Sequence, residues 1–116
     1  MSDKPWVLEL AEAQLSAYNR RDLDAFCACY HDEVVVLDEA GEATMRGIEA
    51  FRDAYGRLFE GHELKAWICE RVCLSPHVVE KERWWRRAED GTVREGEVLV
   101  RYTEREGRIA IVEFLR

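Results

Sequence analysis

The sequence contains little proline and glycine, only 2 and 7 of 116 residues. This scarcity excludes a collagen-like repeat and argues against a long disordered chain. The sequence also lacks an uninterrupted apolar run of about 18 residues, which a membrane helix needs, and residues 1–5 lack the basic start and apolar core of a signal peptide. We therefore expect a cytoplasmic protein with no membrane partner, folded as a single domain over residues 1–116.

Positive charge is also in deficit. The 17 Lys and Arg residues stand against 24 Asp and Glu residues, which gives a formal net charge of -7. Such a chain repels polyanions. Only Arg83–Arg87, where three arginines flank two tryptophans, is typical of nucleic-acid binding. Because the acidic residues around it, Glu80, Glu82, Glu89 and Asp90, can neutralise these arginines across strands, we expect no nucleic-acid partner.

Signals for metals and cofactors are weak. The first cysteine pair is separated by one residue and the second by three, so neither forms a CxxC motif. On a helix the first pair diverges, and on a strand the second pair lies too far apart to share a zinc ion. We expect reduced, mostly buried thiols at Cys27, Cys29, Cys69 and Cys73. The sequence has no glycine-rich phosphate loop, no flavin motif and no Ser-His-acid order, so we expect no cofactor and no metal.

The apolar spacing predicts three helices. The first covers residues 5–19, with Val7, Leu8, Ala11, Leu15 and Tyr18 at helical spacing. The second follows Asp22, a good N-cap, and covers residues 23–30. The third follows Gly47, covers residues 48–60, and ends before Gly61.

The remaining apolar segments predict six strands, at residues 34–37, 43–45, 63–74, 77–88, 93–104 and 108–115. Turn residues separate them, notably Gly41, Ser75–Pro76, Asp90–Gly91 and Glu106–Gly107. The element order is thus α-α-β-β-α-β-β-β-β. This order predicts an α+β fold in which a curved, mostly antiparallel sheet wraps around three helices. Because the strands alternate imperfectly, we expect a second subunit to cover the outer face of the sheet in a homodimer.

Three stretches support a family resemblance: residues 18–26, residues 30–34 and residues 47–55. They resemble the nuclear-transport-factor-2-like superfamily and, within it, the SnoaL-like proteins. The resemblance implies a cone-shaped α+β barrel with a pocket at its open end, often dimeric through the outer sheet face. Members of the superfamily include ketosteroid isomerases, polyketide cyclases, dehydratases, epoxide hydrolases and non-catalytic binding domains.

Asp38 is the candidate catalytic residue. It ends an apolar strand, where desolvation at a cavity mouth raises the pKa of a carboxyl group. The resemblance places Asp38 on the general base of ketosteroid isomerases, but it places Gln14 on their catalytic tyrosine and Val98 near their oxyanion-hole acid. Steroid isomerisation is therefore not expected. The alternative is that Asp38 simply begins the polar turn 38–41.

Arg52 is the second unusual residue, because its helical position lies among Ile48, Tyr55 and Phe59. A buried guanidinium needs a carboxylate partner, and we expect one from Asp38, Glu82 or Glu113. A structural ion pair is favoured over a role in binding an anion or a carbonyl group.

The remaining candidates form a predicted pocket. A flat apolar or aromatic ligand fits a pocket formed by Gln14, Tyr18, Arg52, Tyr55, Phe59, Val98, Val100 and Tyr102. The outer dimer face is predicted around Trp84, Trp85 and Leu99. In the first long hairpin, Arg71 is expected opposite Glu80, and Glu70 opposite Lys81.

Three functional hypotheses follow. The first is a small-molecule-binding protein with an apolar or aromatic pocket. The second is a cofactor-free isomerase, cyclase or lyase in which Asp38 moves a proton and Gln14, Tyr18 or Tyr55 hydrogen-bonds the substrate oxygen. The third is a non-enzymatic interaction domain that works through the outer face of the sheet.

Overall fold

A computed structural model describes residues 6–116 and confirms the predicted order of elements. The elements are α1 (Val7–Arg20), α2 (Leu23–Ala28), β1 (Tyr30–Leu37), β2 (Ala43–Arg46), α3 (Ile48–Gly61), β3 (His62–Leu74), β4 (His77–Ala88), β5 (Val93–Arg105) and β6 (Arg108–Leu115). The predicted helical residue Pro5 lies outside the described residues. No helix within 6–116 has both the length and the apolar character needed to cross a membrane.

Two local predictions concern the second helix. Asp22 caps α2 as predicted, because its side chain accepts a hydrogen bond of 3.1 Å from the amide of Ala25. The prediction that Tyr30 ends this helix is wrong. Tyr30 begins β1, where it is in register with Ile109 of β6, so tertiary pairing overrides the helical spacing.

The six strands form one curved, unclosed sheet in the order β2-β1-β6-β5-β4-β3. All neighbouring strands are antiparallel except β1 and β6, which are parallel. The pairing register shifts between Ile68 and Glu70 in β3 and between Thr103 and Glu104 in β5. Such irregularities bend and twist strands, which helps the sheet to curve.

Strand β4 pairs with β3 and β5 along almost its whole length. Alternate side chains of a strand point to opposite faces. On β4 the inner face, which is covered by the helices, therefore receives Val78, Glu80, Glu82, Trp84 and Arg86. The outer face receives the residues between them.

Packing holds the helices against the inner face, and a pair of hydrogen bonds to the backbone of β3 adds to it. The Asn19 side chain at the end of α1 donates to the carbonyl oxygen of Ala66 at 2.9 Å and accepts from its amide at 2.8 Å. Ala66 lies on β3, an edge strand of the sheet, so this pair satisfies backbone groups that have no neighbouring strand to bond.

The predicted cross-strand pairs of the first long hairpin are confirmed, since Arg71 is opposite Glu80 and Glu70 is opposite Lys81. Glu80 is fully buried, and its Oε2 accepts a hydrogen bond of 2.7 Å from Nε of Arg71. Burial raises the pKa of Glu80, and Arg71 opposes that rise. The ion pair with Arg71 therefore lowers the free-energy cost of burying the Glu80 carboxylate.

Replacing Arg71 by methionine should destabilise the fold by about 3 kcal/mol, because it leaves the Glu80 carboxylate buried without its cation. Chemical denaturation measures the free energy of unfolding. The matched control is Lys81→Met, on the outer face of the neighbouring strand, where an exposed ion pair with Glu97 should contribute less than about 1 kcal/mol. Equal effects of the two substitutions would contradict the structural role of the buried pair.

Candidate functional site

A cavity of about 220 Å³ lies between the inner face of the sheet and the helices. All three helices contribute to its walls or floor, as do four strands. The lining residues are mostly aromatic, with a few polar groups: Gln14, Tyr18, Phe26, Tyr30, Tyr55, Glu82, Trp84, Arg86, Val98, Tyr102, Val112 and Phe114. A concave, largely apolar site with a few converging polar groups is the usual form of a small-molecule site.

A hydrogen-bond network forms one side of the cavity. The Tyr30 hydroxyl donates to Oε1 of Gln14 at 2.9 Å, and Nε2 of Gln14 donates to the Tyr102 hydroxyl at 3.4 Å and to the Ala11 carbonyl oxygen at 3.1 Å. Burial raises the pKa of both Tyr30 and Tyr102 well above the usual value. Both phenols therefore stay protonated near neutral pH. The Tyr30 proton is used in the bond to Gln14, whereas the Tyr102 hydroxyl, which accepts from Gln14, can still donate a hydrogen bond.

Glu82 places a carboxyl group in the cavity. Burial raises the pKa of Glu82 to about 7, the Glu80 carboxylate adds to the rise, and Arg86 opposes it. Within residues 6–116, the Glu82 carboxyl has no hydrogen-bond or ion-pair partner. A carboxyl group that titrates near neutral pH and faces a cavity is suited to donating, accepting or transferring a proton.

Trp84 and Arg86 form a stacked unit beside Glu82. The Cζ atom of Arg86 lies 4.9 Å from the centroid of the Trp84 ring, and Nε of Arg86 donates to the Tyr18 hydroxyl at 3.4 Å. Gly96 is opposite Trp84 on β5, where a Cβ atom would lie 3.0 Å from the indole. The absence of a side chain at Gly96 thus lets the indole lie close against the neighbouring strand.

The structure brings together five of the predicted pocket residues: Gln14, Tyr18, Tyr55, Val98 and Tyr102 all line the cavity. Phe59 and Val100, also predicted for the pocket, do not line it. Phe59 lies behind the lining, with its ring centroid 5.6 Å from that of Tyr18. It belongs to the core that supports the wall, because its ring is used in packing between α1, α2 and α3.

Arg52 lies outside the cavity, which corrects its predicted burial and its predicted place in the pocket. Its guanidinium is exposed and forms an ion pair with Asp24 of α2, which also corrects the prediction that its partner is Asp38, Glu82 or Glu113. The buried line of α3 runs through Phe51, Tyr55 and Phe59, so Arg52 lies beside this line rather than on it. From that position its long side chain reaches solvent and an exposed carboxylate, which avoids the cost of burial.

Asp38 also lies outside the cavity lining. Its Oδ1 accepts hydrogen bonds from the amides of Ala40 at 2.9 Å and Glu42 at 3.0 Å. β1 ends at Leu37, and Asp38 stabilises the turn into β2. The structure therefore places Asp38 in the turn that was the alternative interpretation, and its expected position at the cavity mouth is corrected.

Several lining residues were missed from the sequence, and Trp84 was predicted for the wrong face. Trp84 lines the cavity, whereas Trp85 and Leu99 lie on the outer face as predicted. The missed residues are Phe26, Tyr30, Glu82, Arg86, Val112 and Phe114. Strand alternation was the available signal: once Val78 is placed inward, positions 82, 84 and 86 of β4 follow. The same alternation splits the basic run, since Arg86 points inward while Arg83 and Arg87 point outward.

The thiols differ partly from the prediction. All four cysteines are free, but only Cys27 and Cys29 are buried, while Cys69 and Cys73 on β3 are exposed. β3 is an edge strand and continues beyond the helices, so its distal half lacks a cover. In the part of the chain that the structure describes, no group of three or more His, Cys, Asp or Glu residues is arranged to hold a metal ion.

Comparison with known proteins identifies a matching family and several structures with a similar fold. The sequence profile of the SnoaL-like domain matches residues 11–113, and no curated protein matches the chain. An uncharacterised cystatin-fold protein from Novosphingobium aromaticivorans is 26% identical, with 97% of this chain and 99% of that chain covered and a TM-score of 0.87.

Two mycobacterial structures are more distant in sequence. The Delta 5-3-ketosteroid isomerase from Mycobacterium sp. has a TM-score of 0.84 at 16% identity, over 95% of this chain and 92% of that one. A Mycobacterium tuberculosis protein in complex with estradiol-17beta-hemisuccinate has a TM-score of 0.84 at 15% identity, over 93% and 91%. At such identities the likeness shows the fold alone.

Replacing Glu82 by glutamine should stabilise the protein at pH 8 and have little effect near pH 4. The folded-state pKa of about 7 lies above the ordinary value of 4.5, so the folded state binds the proton more tightly. Below pH 4.5 the Glu82 carboxyl makes its full contribution to the free energy of unfolding. This contribution is lost as the pH rises through 7, which lowers the free energy of unfolding by up to about 3 kcal/mol. Denaturation of both proteins across this range measures the difference, with Glu95→Gln on the outer face as the control. A pH-independent difference would contradict the buried, titrating carboxyl.

Proposed function

The chain belongs to the SnoaL-like domain family, and we propose that it binds a small apolar or aromatic molecule in the cavity. The observation that carries the proposal is the aromatic cavity with polar groups on only part of its lining. Aromatic rings stack well on flat ligands, and a few fixed polar groups then orient them. The fold provides a scaffold for such a site, and proteins with this fold have several different activities.

The cavity volume limits the ligand. An apolar cavity of about 150 Å³ holds one benzene molecule, so about 220 Å³ suits a substituted single ring or a bicyclic ring system. A skeleton of four fused rings would extend beyond a cavity of this volume. The steroid bound by the mycobacterial relative is therefore larger than the ligand that we propose for this chain.

The polar groups define how the ligand is oriented. Gln14 and the Tyr30 and Tyr102 hydroxyls are already linked to one another by hydrogen bonds, so their positions are fixed before a ligand enters. Glu82, in contrast, has no such partner in residues 6–116 and is left to interact with the ligand. We propose that the carbonyl or hydroxyl group of the ligand points toward these polar groups.

A neutral bicyclic probe, 2-naphthol, should bind to the protein, and calorimetry measures its affinity. Val98→Phe should weaken binding by about tenfold or more, because the larger side chain occupies the cavity. Leu99→Phe is the matched control, since the neighbouring residue points to the outer face. Equal affinities for both variants would place the probe outside the cavity and contradict the proposal.

A second candidate function is proton transfer by Glu82. Its pKa of about 7 and its place in the cavity support a general base at neutral pH. In this reaction the Glu82 carboxylate removes a proton from the carbon beside a carbonyl group, and a tyrosine or Gln14 hydrogen-bonds the developing enolate oxygen. This candidate replaces the predicted base Asp38, whose carboxylate is used in its own turn.

An enolisable bicyclic ketone, 2-tetralone, tests the proton-transfer candidate. Exchange of its acidic carbon-bound hydrogens for deuterium should be accelerated by the protein, and NMR follows the exchange. Glu82→Gln should reduce the acceleration by about 100-fold or more, whereas Asp38→Asn should retain it. If the Glu82 variant exchanges the ketone as fast as the unchanged protein does, Glu82 is not the base.

We also propose that the outer sheet face joins two copies of the chain. This face carries Trp67 at 43% exposure and Leu99 at 37%, with Trp85 between charged neighbours in the adjacent strands. The helices cover only the inner face, so this apolar area stays in contact with water in a single copy. Alternating arginine, lysine and glutamate side chains on the same face, such as the Lys81–Glu97 and Arg101–Glu113 pairs, suit a self-complementary contact.

Light scattering at micromolar concentration should report the mass of a dimer. Leu99→Glu should convert it to a monomer, because the change places two new charges in the contact. Glu104→Gln, near the end of β5, serves as the control and should leave the mass unchanged. A monomeric mass for the unchanged protein would overturn the proposed dimer and leave the face open for other partners.

The free thiols support a location in a reducing compartment. All four cysteines are unpaired, including the two exposed residues of β3. Exposed thiols persist mainly where glutathione and thioredoxin keep them reduced. We therefore propose the cytoplasm as the location of this protein.

A further inference from the structure

Two arginines lie directly opposite each other on the inner face of the sheet. Arg86 of β4 is in register with Arg94 of β5. Like charges at opposite positions of an antiparallel pair repel and destabilise it unless a counter-charge is present. Within residues 6–116, neither guanidinium forms an ion pair with a carboxylate, although other arginines of the sheet do so, such as Arg71 and Arg101.

The Arg86 side chain is held in place by uncharged groups. It stacks on Trp84 and donates from Nε to the Tyr18 hydroxyl. These contacts fix the plane of the guanidinium. Among the residues that the structure describes, they use only its Nε atom, so both Nη groups remain available. An arginine fixed in this way is suited to bind a planar carboxylate through two parallel hydrogen bonds, with little loss of side-chain entropy.

Arg86 also connects two cavities. It lines the aromatic cavity, and it lines a second cavity of about 170 Å³ together with Arg94, His62, Thr92, Leu58 and Ala88. A group bound between the two arginines thus adjoins the space in which an aromatic ring is held. Two acidic groups limit the anion: Glu82 lines the aromatic cavity together with Arg86, and Asp90 interacts with His62, which lines the second cavity. They disfavour a doubly charged phosphate more than a singly charged carboxylate.

We propose that Arg86 and Arg94 bind the carboxylate of a small aromatic acid whose ring occupies the aromatic cavity. This inference rests on the proposed function, because it assigns a chemical class to the ligand of the same site. The carboxylate supplies the close ion-pair partner that neither guanidinium has in the described part of the chain. Glu82, whose pKa near 7 leaves it partly protonated at neutral pH, then repels the anion less than a permanent carboxylate does.

Calorimetry with two probes of nearly equal size tests the inference: 2-naphthoate, which carries the carboxylate, and 2-naphthamide, which is neutral. The unchanged protein should bind the acid about tenfold more tightly than the amide, as charge-assisted hydrogen bonds predict. Arg94→Gln should remove most of this preference and keep the affinity for the amide, because Arg94 is exposed and the aromatic cavity does not include it.

Arg86→Lys should also lower the preference, because lysine keeps the charge but loses the planar pair of donors. Arg83→Gln is the control, since Arg83 lies on the outer face over Trp67 and should not change the ratio. Thermal melting of each variant verifies that it is folded. Because Arg94 is exposed, its variant keeps the test valid even if a substitution of Arg86 disturbs the wall of the aromatic cavity.

The outcomes separate the two proposals. Equal binding of acid and amide by the unchanged protein would overturn the arginine site and leave the cavity as a site for neutral ligands. A preference for the acid that Arg94→Gln and Arg83→Gln reduce equally would also overturn it, because the effect would then be one of overall charge. If neither naphthoate nor naphthamide binds while 2-naphthol does, the arginine site fails alone; if none of the three binds, the proposed function fails as well.

Discussion

Packing around the Phe26 ring is the interaction on which the rest of the structure depends. Phe26 lies in α2, one of the short elements of the chain, yet its ring meets five others from α1, β1 and α3: Tyr18, Tyr30, Phe51, Tyr55 and Phe59. A six-residue helix is marginal by itself, so its stability comes from this contact. Because four of these six rings also line the cavity, the core and the site share one set of side chains.

Strand β4 carries a second constraint, since its inner face combines apolar and charged residues. Glu80, Glu82 and Arg86 all point inward, where uncompensated charge is unfavourable. Glu80 is neutralised by Arg71, and this pair is structural. Glu82 and Arg86 face the cavity without a close ionic partner in residues 6–116. Perturbed charged groups in a cleft are candidates for binding or chemistry, so the contrast between these residues supports the proposed site.

Much of the fold could be predicted from the sequence, because its signals are local. The Asp22 cap, the turn residues between strands and the spacing of apolar residues in α1 and α3 each act over a few positions. The limits of β4 and β6 agree with the predicted residues 77–88 and 108–115. Tyr30 was misplaced because its strand is defined by a parallel partner about 80 residues away, which local spacing does not reveal.

The site was predicted less completely than the fold. The sequence by itself determined the element order, the family, and a cavity that includes Gln14, Tyr18, Tyr55, Val98 and Tyr102. Only the tertiary structure decided which charged residues enter the cavity. Helical spacing predicted Arg52 among the apolar residues of α3, but from this position its long side chain reaches solvent. The alternation of side chains along β4 does not show which of its two faces points inward, and a shift of one residue in the pairing register exchanges the faces. The packing of β4 between β3 and β5, under the helices, turned Glu82 and Arg86 inward.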